Sequence, residues 1–374
     1  MAVIRFARLP RHARTFGIAA AVSLGLGLIV LNHLGLLARS SREGAARGGH
    51  SVATRPAAPK ALYWGAWIGD QLTGTEAPFD MTAVSKFQRL VGGKALSLIQ
   101  FSSPFENCYR SPCVPYAFPL ADFERIRRYG AIPLFSWGSN ALPVRSTAAR
   151  FSLRKISAGT YDAYLRRWAI AAARWGHPFF LRFDWEMNGK WFPWGWGANG
   201  NRAGDFIVAW RHVHRIFTNA GATNANWVWC PNVDPAGVFG PLRALYPGPA
   251  YVDWTCTDVY NRNAPWMSFD DLFASTYAAI ERLAPGKPML IAEIGSTERG
   301  GSKAAWITAL LRNLSGRYPL LRGLAWFEKS GSGFDWPIET SPASQRAFAR
   351  GISSSLYAGN AYAALPEGPI RPPG

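Results

Sequence analysis

From Ala61 to about Tyr357 the chain alternates between short apolar runs and longer amphipathic stretches. The runs are Ala61–Ile68, Ala95–Phe101, Ala131–Trp137, Phe179–Phe183, Asn226–Pro231, Val252–Tyr260, Pro288–Glu293 and Gly323–Phe327. Each has the length of a buried strand rather than of a helix. Between them, Tyr161–Trp175, Gly204–Ala220 and Asp270–Leu283 repeat apolar residues at helical spacing, and Gly or Pro marks many of the junctions. Eight strands alternating with helices predict an α/β protein folded as one closed (β/α)8 TIM barrel. An open doubly wound sheet is the alternative. It would normally carry a Gly-rich phosphate loop after its first strand, and Trp64-Gly65-Ala66-Trp67 is not one.

The two ends of the chain depart from this pattern. Phe16 to Leu37 is apolar apart from small residues, Asn32 and His33, and four Arg precede it. It reads as a transmembrane anchor or an export signal with its basic end in the cytoplasm, its length and the lack of a small-x-small cleavage site favouring the anchor. Residues 39–60, rich in Gly, Ala, Pro, Ser and Arg, read as a flexible linker. The expected organisation is an anchor over 1–38, a linker over 39–60, the barrel over 61–357 and a disordered Pro/Gly-rich tail over 358–374. The barrel then lies outside the cytoplasm, tethered to the membrane, or secreted if the segment is cleaved.

Charge adds little to this picture. The net charge is +18, but residues 1–60 hold nine Lys/Arg against Glu43 alone. The remaining 32 basic and 22 acidic residues are spread without basic runs, which argues against a nucleic-acid partner. In an oxidising compartment Cys108 and Cys113 are expected to pair, while Cys230 and Cys256 are either paired or buried thiols. No Cys/His set has zinc-ligand spacing, and His212 and His214 read as part of a solvated helix surface. Neither a metal nor an organic cofactor is expected, and the chain is expected to act as a monomer.

Chemistry concentrates in Pro178–Gly197, PFFLRFDWEMNGKWFPWGWG. An apolar run delivers one acid, Glu186, into Trp185, Trp191, Trp194 and Trp196, with Phe192 and Asn188 among them. Flat rings offer apolar faces to sugars, and their low polarity raises the pKa of a carboxyl group until it can donate a proton. Strand 7, PMLIAEIG, is apolar until Glu293 near its end, so that acid points into a barrel mouth, where barrel enzymes collect their functional groups. Two carboxyls facing one another across a mouth are what glycoside hydrolysis needs. Asp184 either shares the strand face of Glu186 or holds Arg182.

The stretch Arg182-x-Asp184-Trp185-Glu186-Met187-Asn188-Gly189-x-Trp191-x-Pro193-Trp194 resembles the acid/base region of glycoside hydrolase family 26, and the resemblance extends over about Ala61 to Tyr357. It implies a retaining barrel enzyme: mostly endo-β-1,4-mannanases, with some mixed-linkage glucanases and β-1,3-xylanases. On that resemblance Glu186 is the acid/base, Glu293 the nucleophile and Tyr260, in Asp258-Val259-Tyr260-Asn261, its hydrogen-bonding neighbour. Trp326, in Ala325-Trp326-Phe327, is expected to floor the reacting sugar. Trp185, Asn188, Trp191, Trp194 and Trp196, together with Trp67 and Trp137 at the ends of strands 1 and 3, complete the substrate-binding candidates. The chain departs from the pattern at Trp185, where many of the mannanases have His. The expected activity is hydrolysis of β-1,4-mannan or a related β-linked polysaccharide, and a non-hydrolytic glycan-binding barrel serving exopolysaccharide export is the alternative from another class.

Overall fold

A computed structural model describes residues 60–331 and 333–374. The expected anchor and linker lie outside the described residues. None of the described helices is long and apolar enough to cross a membrane.

The strands are β1 (Tyr63–Ile68), β2 (Leu98–Asn107), β3 (Val114–Pro115), β4 (Ile132–Leu142), β5 (Phe179–Phe183), β6 (Ala225–Trp229), β7 (Trp254–Asn261), β8 (Met289–Ser296) and β9 (Leu321–Glu328). All but β3 pair in parallel in the order β1-β9-β8-β7-β6-β5-β4-β2, and β1 also pairs with β2. The sheet is therefore a closed eight-stranded barrel with no free edge. The doubly wound alternative is excluded. Short β3 adds antiparallel to the overhanging end of β2, directly after the turn closed by the Cys108–Cys113 disulfide.

Helices α1 (Met81–Leu90), α2 (Leu120–Tyr129), α3 (Leu153–Ser157), α4 (Asp162–Trp175), α5 (Asp205–Asn219), α6 (Phe269–Leu283), α7 (Lys303–Arg317) and α8 (Pro342–Ile352) surround the barrel. Most bury one face: Leu165, Trp168, Ala169 and Ala172 on α4, and Phe206, Ala209, Trp210, Val213, Ile216 and Phe217 on α5. Side-chain caps start α1 at Asp80, α6 at Ser268, α7 at Ser302 and α8 at Ser341, each accepting from a first-turn N–H. His212 and His214 are half-buried rather than solvated. His212 meets Asp162 of α4 at 2.7 Å, and the His214 ring packs on Trp227 and Tyr251.

The expectation of a disordered tail is wrong. Residues 358–374 cross the N-terminal end of the barrel and close it. The Ile370 N–H donates to Asn226 (2.7 Å), its carbonyl accepts from Trp254 Nε1 (3.0 Å), and the Arg371 carbonyl accepts from Tyr63 OH (2.6 Å). Tyr63, Phe180 and Trp254 form the aromatic bottom layer inside the barrel, with Tyr362 packed beneath Tyr63. A Pro-rich segment shows no period of its own because the barrel floor supplies its partners. Function is left to the opposite end.

Candidate active site

Inward-facing residues of the barrel's upper half build one polar cluster around Arg182. The guanidinium is fully buried and reaches three strands. It donates to Ser136 on β4 (2.9 Å), to Asp258 on β7 (2.5 Å) and to Glu293 on β8 (2.9 Å). Glu293 also accepts from Gln100 on β2 (3.1 Å) and from Tyr260 OH on β7 (2.6 Å). Asp258 and Glu293 are direct register partners across β7 and β8, so the pairing of the strands sets the two carboxylates side by side. A buried cation between two buried anions is tolerable only with hydrogen-bonding partners, and here they come from four different strands. Burial and then the adjoining Glu293 charge push the Tyr260 phenol well above its usual range, which keeps it a donor.

Glu186 lies just beyond β5 in left-handed backbone (φ 52°), as does Asp184 (φ 45°). Such conformations cost energy in residues other than Gly and persist only where the surroundings enforce them. Here the Glu186 N–H donates to the Cys230 carbonyl (2.7 Å), and Asp184 accepts from the Ser139 N–H (2.7 Å) and hydroxyl (2.8 Å). The Glu186 carboxyl accepts from Trp191 Nε1 (2.5 Å) and from Asn232 Nδ2 (2.5 Å). Burial first, then the nearby Glu293 charge, push its pKa up to about 7, against the opposing pull of Trp191 and Arg182. A carboxyl in this range can both give and take a proton near neutrality.

The structure sorts the remaining candidates into three groups. Trp191, which donates to Glu186, and Trp196, whose backbone N–H donates to the Met187 carbonyl, are half-buried, Trp191 edge-on to Phe239 and Trp196 against Gly240. Tyr260 is half-buried on the Glu293 side. These three keep part of their surface exposed. Trp67 and Trp185 are walls rather than open platforms: Trp67 packs against Phe327, and Trp185 against Phe192 and Trp194 with the Arg182 guanidinium 5.7 Å from its ring centre.

Four assignments are corrected. Trp326 is fully buried between the barrel and α8, 5.2 Å from the Phe348 ring, and its Nε1 donates to the Trp336 carbonyl. Strand alternation turns its neighbour Phe327 inward instead, against Trp67 and Tyr260. Trp137 likewise points outward, stacked on Trp168 of α4 at 4.4 Å. Trp194 is buried under the loop, stacked on Phe192 and donating to the Trp185 carbonyl. Asn188 does not face the opening: both ends of its amide clamp the Asn232 backbone (2.8 Å each), which aims Asn232 at Glu186.

Sequence reasoning missed Asn232 and Gln100, and it named Phe327 and Asp335-Trp336 only as part of the family resemblance, without a role for either ring. Trp336 packs on Tyr260 (5.0 Å) and over Gly295. Its loop is fixed by buried Lys303, whose ammonium donates to the carbonyls of Asp335, Trp336 and Pro337 and to Thr340. The signal available for Phe327 was the period-two alternation of β9. Cys230 and Cys256, left open from the sequence, are paired across β6 and β7, and Cys230 Sγ accepts from Arg182 at 3.3 Å.

Residues 167–309 match the model of glycosyl hydrolase family 26. Endoglucanase H of Acetivibrio thermocellus is 32% identical over 301 residues, which covers 78% of this chain but only 30% of that protein. The chain thus spans about a third of the curated relative it matches. Among solved structures, the catalytic domain of a family-26 endo-β-1,4-mannanase from Bacillus sp. JAMB-750 superposes with a TM-score of 0.63 at 18% identity, covering 82% of this chain and 89% of that one. A modular endo-β-1,4-mannanase from Cellulomonas fimi gives 0.59 at 15% identity, covering 84% and 75%. At these identities the structural likeness shows the fold, and the match of residues 167–309 together with the curated relative shows that this barrel is similar to glycosyl hydrolase family 26.

Proposed function

We propose that this chain is a retaining endo-β-glycanase that cleaves a β-1,4-linked glucan or mannan backbone, with Glu186 as acid/base and Glu293 as nucleophile. The observation that carries the reading is the unlike surroundings of the two acids. Glu186 sits in an aromatic cage that keeps a proton on it up to about pH 7, while Glu293 faces a guanidinium, a phenol and an amide that match its negative charge. In the first step Glu293 attacks the anomeric carbon as Glu186 protonates the departing oxygen. In the second, Glu186 takes a proton from water, which displaces Glu293 from the sugar. Phe327 and Tyr260 on one side, and Trp191 and Trp196 on the other, give the chain of sugars its apolar contacts.

The curated relative's name favours a glucan, but that protein is more than three times the length of the matched part, and the mannanase structures carry the fold alone. Action outside the cytoplasm is supported by the two disulfides and by the basic, apolar N-terminal sequence. The test is a panel of soluble β-glucans, mannans and xylans incubated with the full chain, with product size and anomeric configuration followed by NMR. Release of β-anomers from internal cleavage is expected. Initial α-anomers would overturn the retaining mechanism, and no cleavage of any polymer would overturn the enzyme reading.

A further inference from the structure

Arg262 follows directly on β7 and forms no ion pair among the described residues. Its guanidinium carbon lies 5.5 Å from the ring centre of Tyr260 and 5.8 Å from that of Phe334. Phe334 in turn stacks on Trp336 at 4.7 Å, and Trp336 packs on Tyr260. The arginine thus lies against the aromatic wall of the Glu293 side, half-buried, with its N–H fork donating to no protein acceptor among the described residues. It stands at the Glu293 side of the site, since the Tyr260 ring it lies against carries the hydroxyl that donates to Glu293 at 2.6 Å.

The acids that could neutralise it are engaged elsewhere. Glu293 and Asp258 are held by Arg182, Asp335 by the Thr297 hydroxyl and the Glu298 N–H, and Glu298 by Thr340 and Ser344. By contrast, the lysine at the rim, Lys329, is paired with Glu76 at 2.5 Å. A planar cation stacked on rings, with its donors unused, is the arrangement that takes a carboxylate in two parallel hydrogen bonds.

We propose that the polymer bound here carries a carboxylate on a sugar lying against Tyr260, and that Arg262 binds that group. The proposal deepens the glycanase reading and rests on it for the position of the sugar. A neutral sugar offers only hydroxyls, and hydrogen bonds in which both groups are charged are about twice as strong.

The test compares the neutral backbone that the enzyme cuts best with its carboxymethyl derivative, at low and high ionic strength, for the wild type, R262Q and R262K. The ratio of kcat/KM on the acidic polymer to that on the neutral one should fall about tenfold in R262Q, fall less in R262K, which keeps the charge but not the planar fork, and shrink with salt in the wild type. Glucuronate-containing and pyruvate-ketal-bearing β-glucans, run in parallel, distinguish a uronic acid from a substituent as the source of the carboxylate. Equilibrium binding of the same polymers reads the preference without turnover. The same acidic-to-neutral ratio in the wild type and R262Q, in rate or in binding, overturns the proposal. Preference without cleavage upholds it and sinks only the hydrolase reading.

Discussion

Glu186 stands on a loop in left-handed backbone and takes its hydrogen bonds from an indole and an amide. Glu293 stands within a strand and takes its own from a guanidinium, a phenol and an amide. Neither is exposed by more than 6%. Equal burial therefore does not mean equal chemistry: what differs is whether a full positive charge is hydrogen-bonded to the carboxyl. A cage of neutral donors leaves the Glu186 proton in place to about pH 7, whereas Arg182 compensates Glu293 directly. On the proposed mechanism the strand holds the group that must stay fixed, and the loop holds the group that trades a proton.

Substitution of the acids themselves breaks this comparison most severely. E293A should fall below about one ten-thousandth of wild-type activity, with added azide restoring part of it by attack from the vacated face. E186A should lose about two to four orders of magnitude on polymer, yet spare aryl glycosides whose leaving group needs no protonation. Polymer kinetics near those of the wild type in either variant would remove that residue from its role.

Next comes Arg182. Replacing it with Met leaves Asp258 and Glu293 buried without their cation, which should destabilise the fold by roughly 3–5 kcal/mol. Urea denaturation measures this, and an unchanged midpoint would show that the cluster does not depend on the arginine.

A smaller effect separates the two tryptophans of the last strand and its loop. W336A should lower kcat by removing the support of Tyr260, whereas W326F should change stability and leave kcat nearly as it was, since Trp326 meets α8 rather than the cleft. The reverse pattern would restore Trp326 as the sugar's floor.

The pH profile sharpens the contrast further. kcat/KM should decline as pH rises through about 7, because Glu186 must enter the reaction protonated. In W191F, loss of a donor to the ionised carboxyl should move that alkaline limb upward. A limb that stays put, or moves down, would show that Trp191 does not tune the acid.

The least effect is expected at Asp184, which burial pushes up to about 8 despite two hydrogen bonds from Ser139. The folded pKa exceeds the unfolded value of 3.8, so this group's stabilisation is complete below about pH 4 and is lost as pH rises toward 8. Melting temperatures across this window should fall less in D184N than in the wild type. Parallel curves would contradict the assignment.

Much of this molecule follows from local pattern. The eight apolar runs and the helices between them predict a parallel sheet covered on both faces, and the lack of a phosphate loop favours the barrel over the open sheet. Position along the chain marks Glu186 and Glu293, because one lies in the last half of an apolar barrel strand and the other just past the end of one, the level at which a barrel opens. Identity alone could not say which tryptophans face it. Trp326 and Phe327 differ by one residue, and the phase of β9 in the sheet decides which looks inward. Trp137 and Trp194 were equally open choices until the helix and loop packed over them were in place. Asn232 gains its role only because Asn188, distant in sequence, clamps its backbone. The tail has no period to read, and its order comes from Tyr63, Asn226 and Trp254 at the starts of three strands. Periodicity is written in neighbouring residues and can be read from them. Direction, register and hydrogen-bond partners depend on which distant strands become neighbours, and only the closed barrel fixes those.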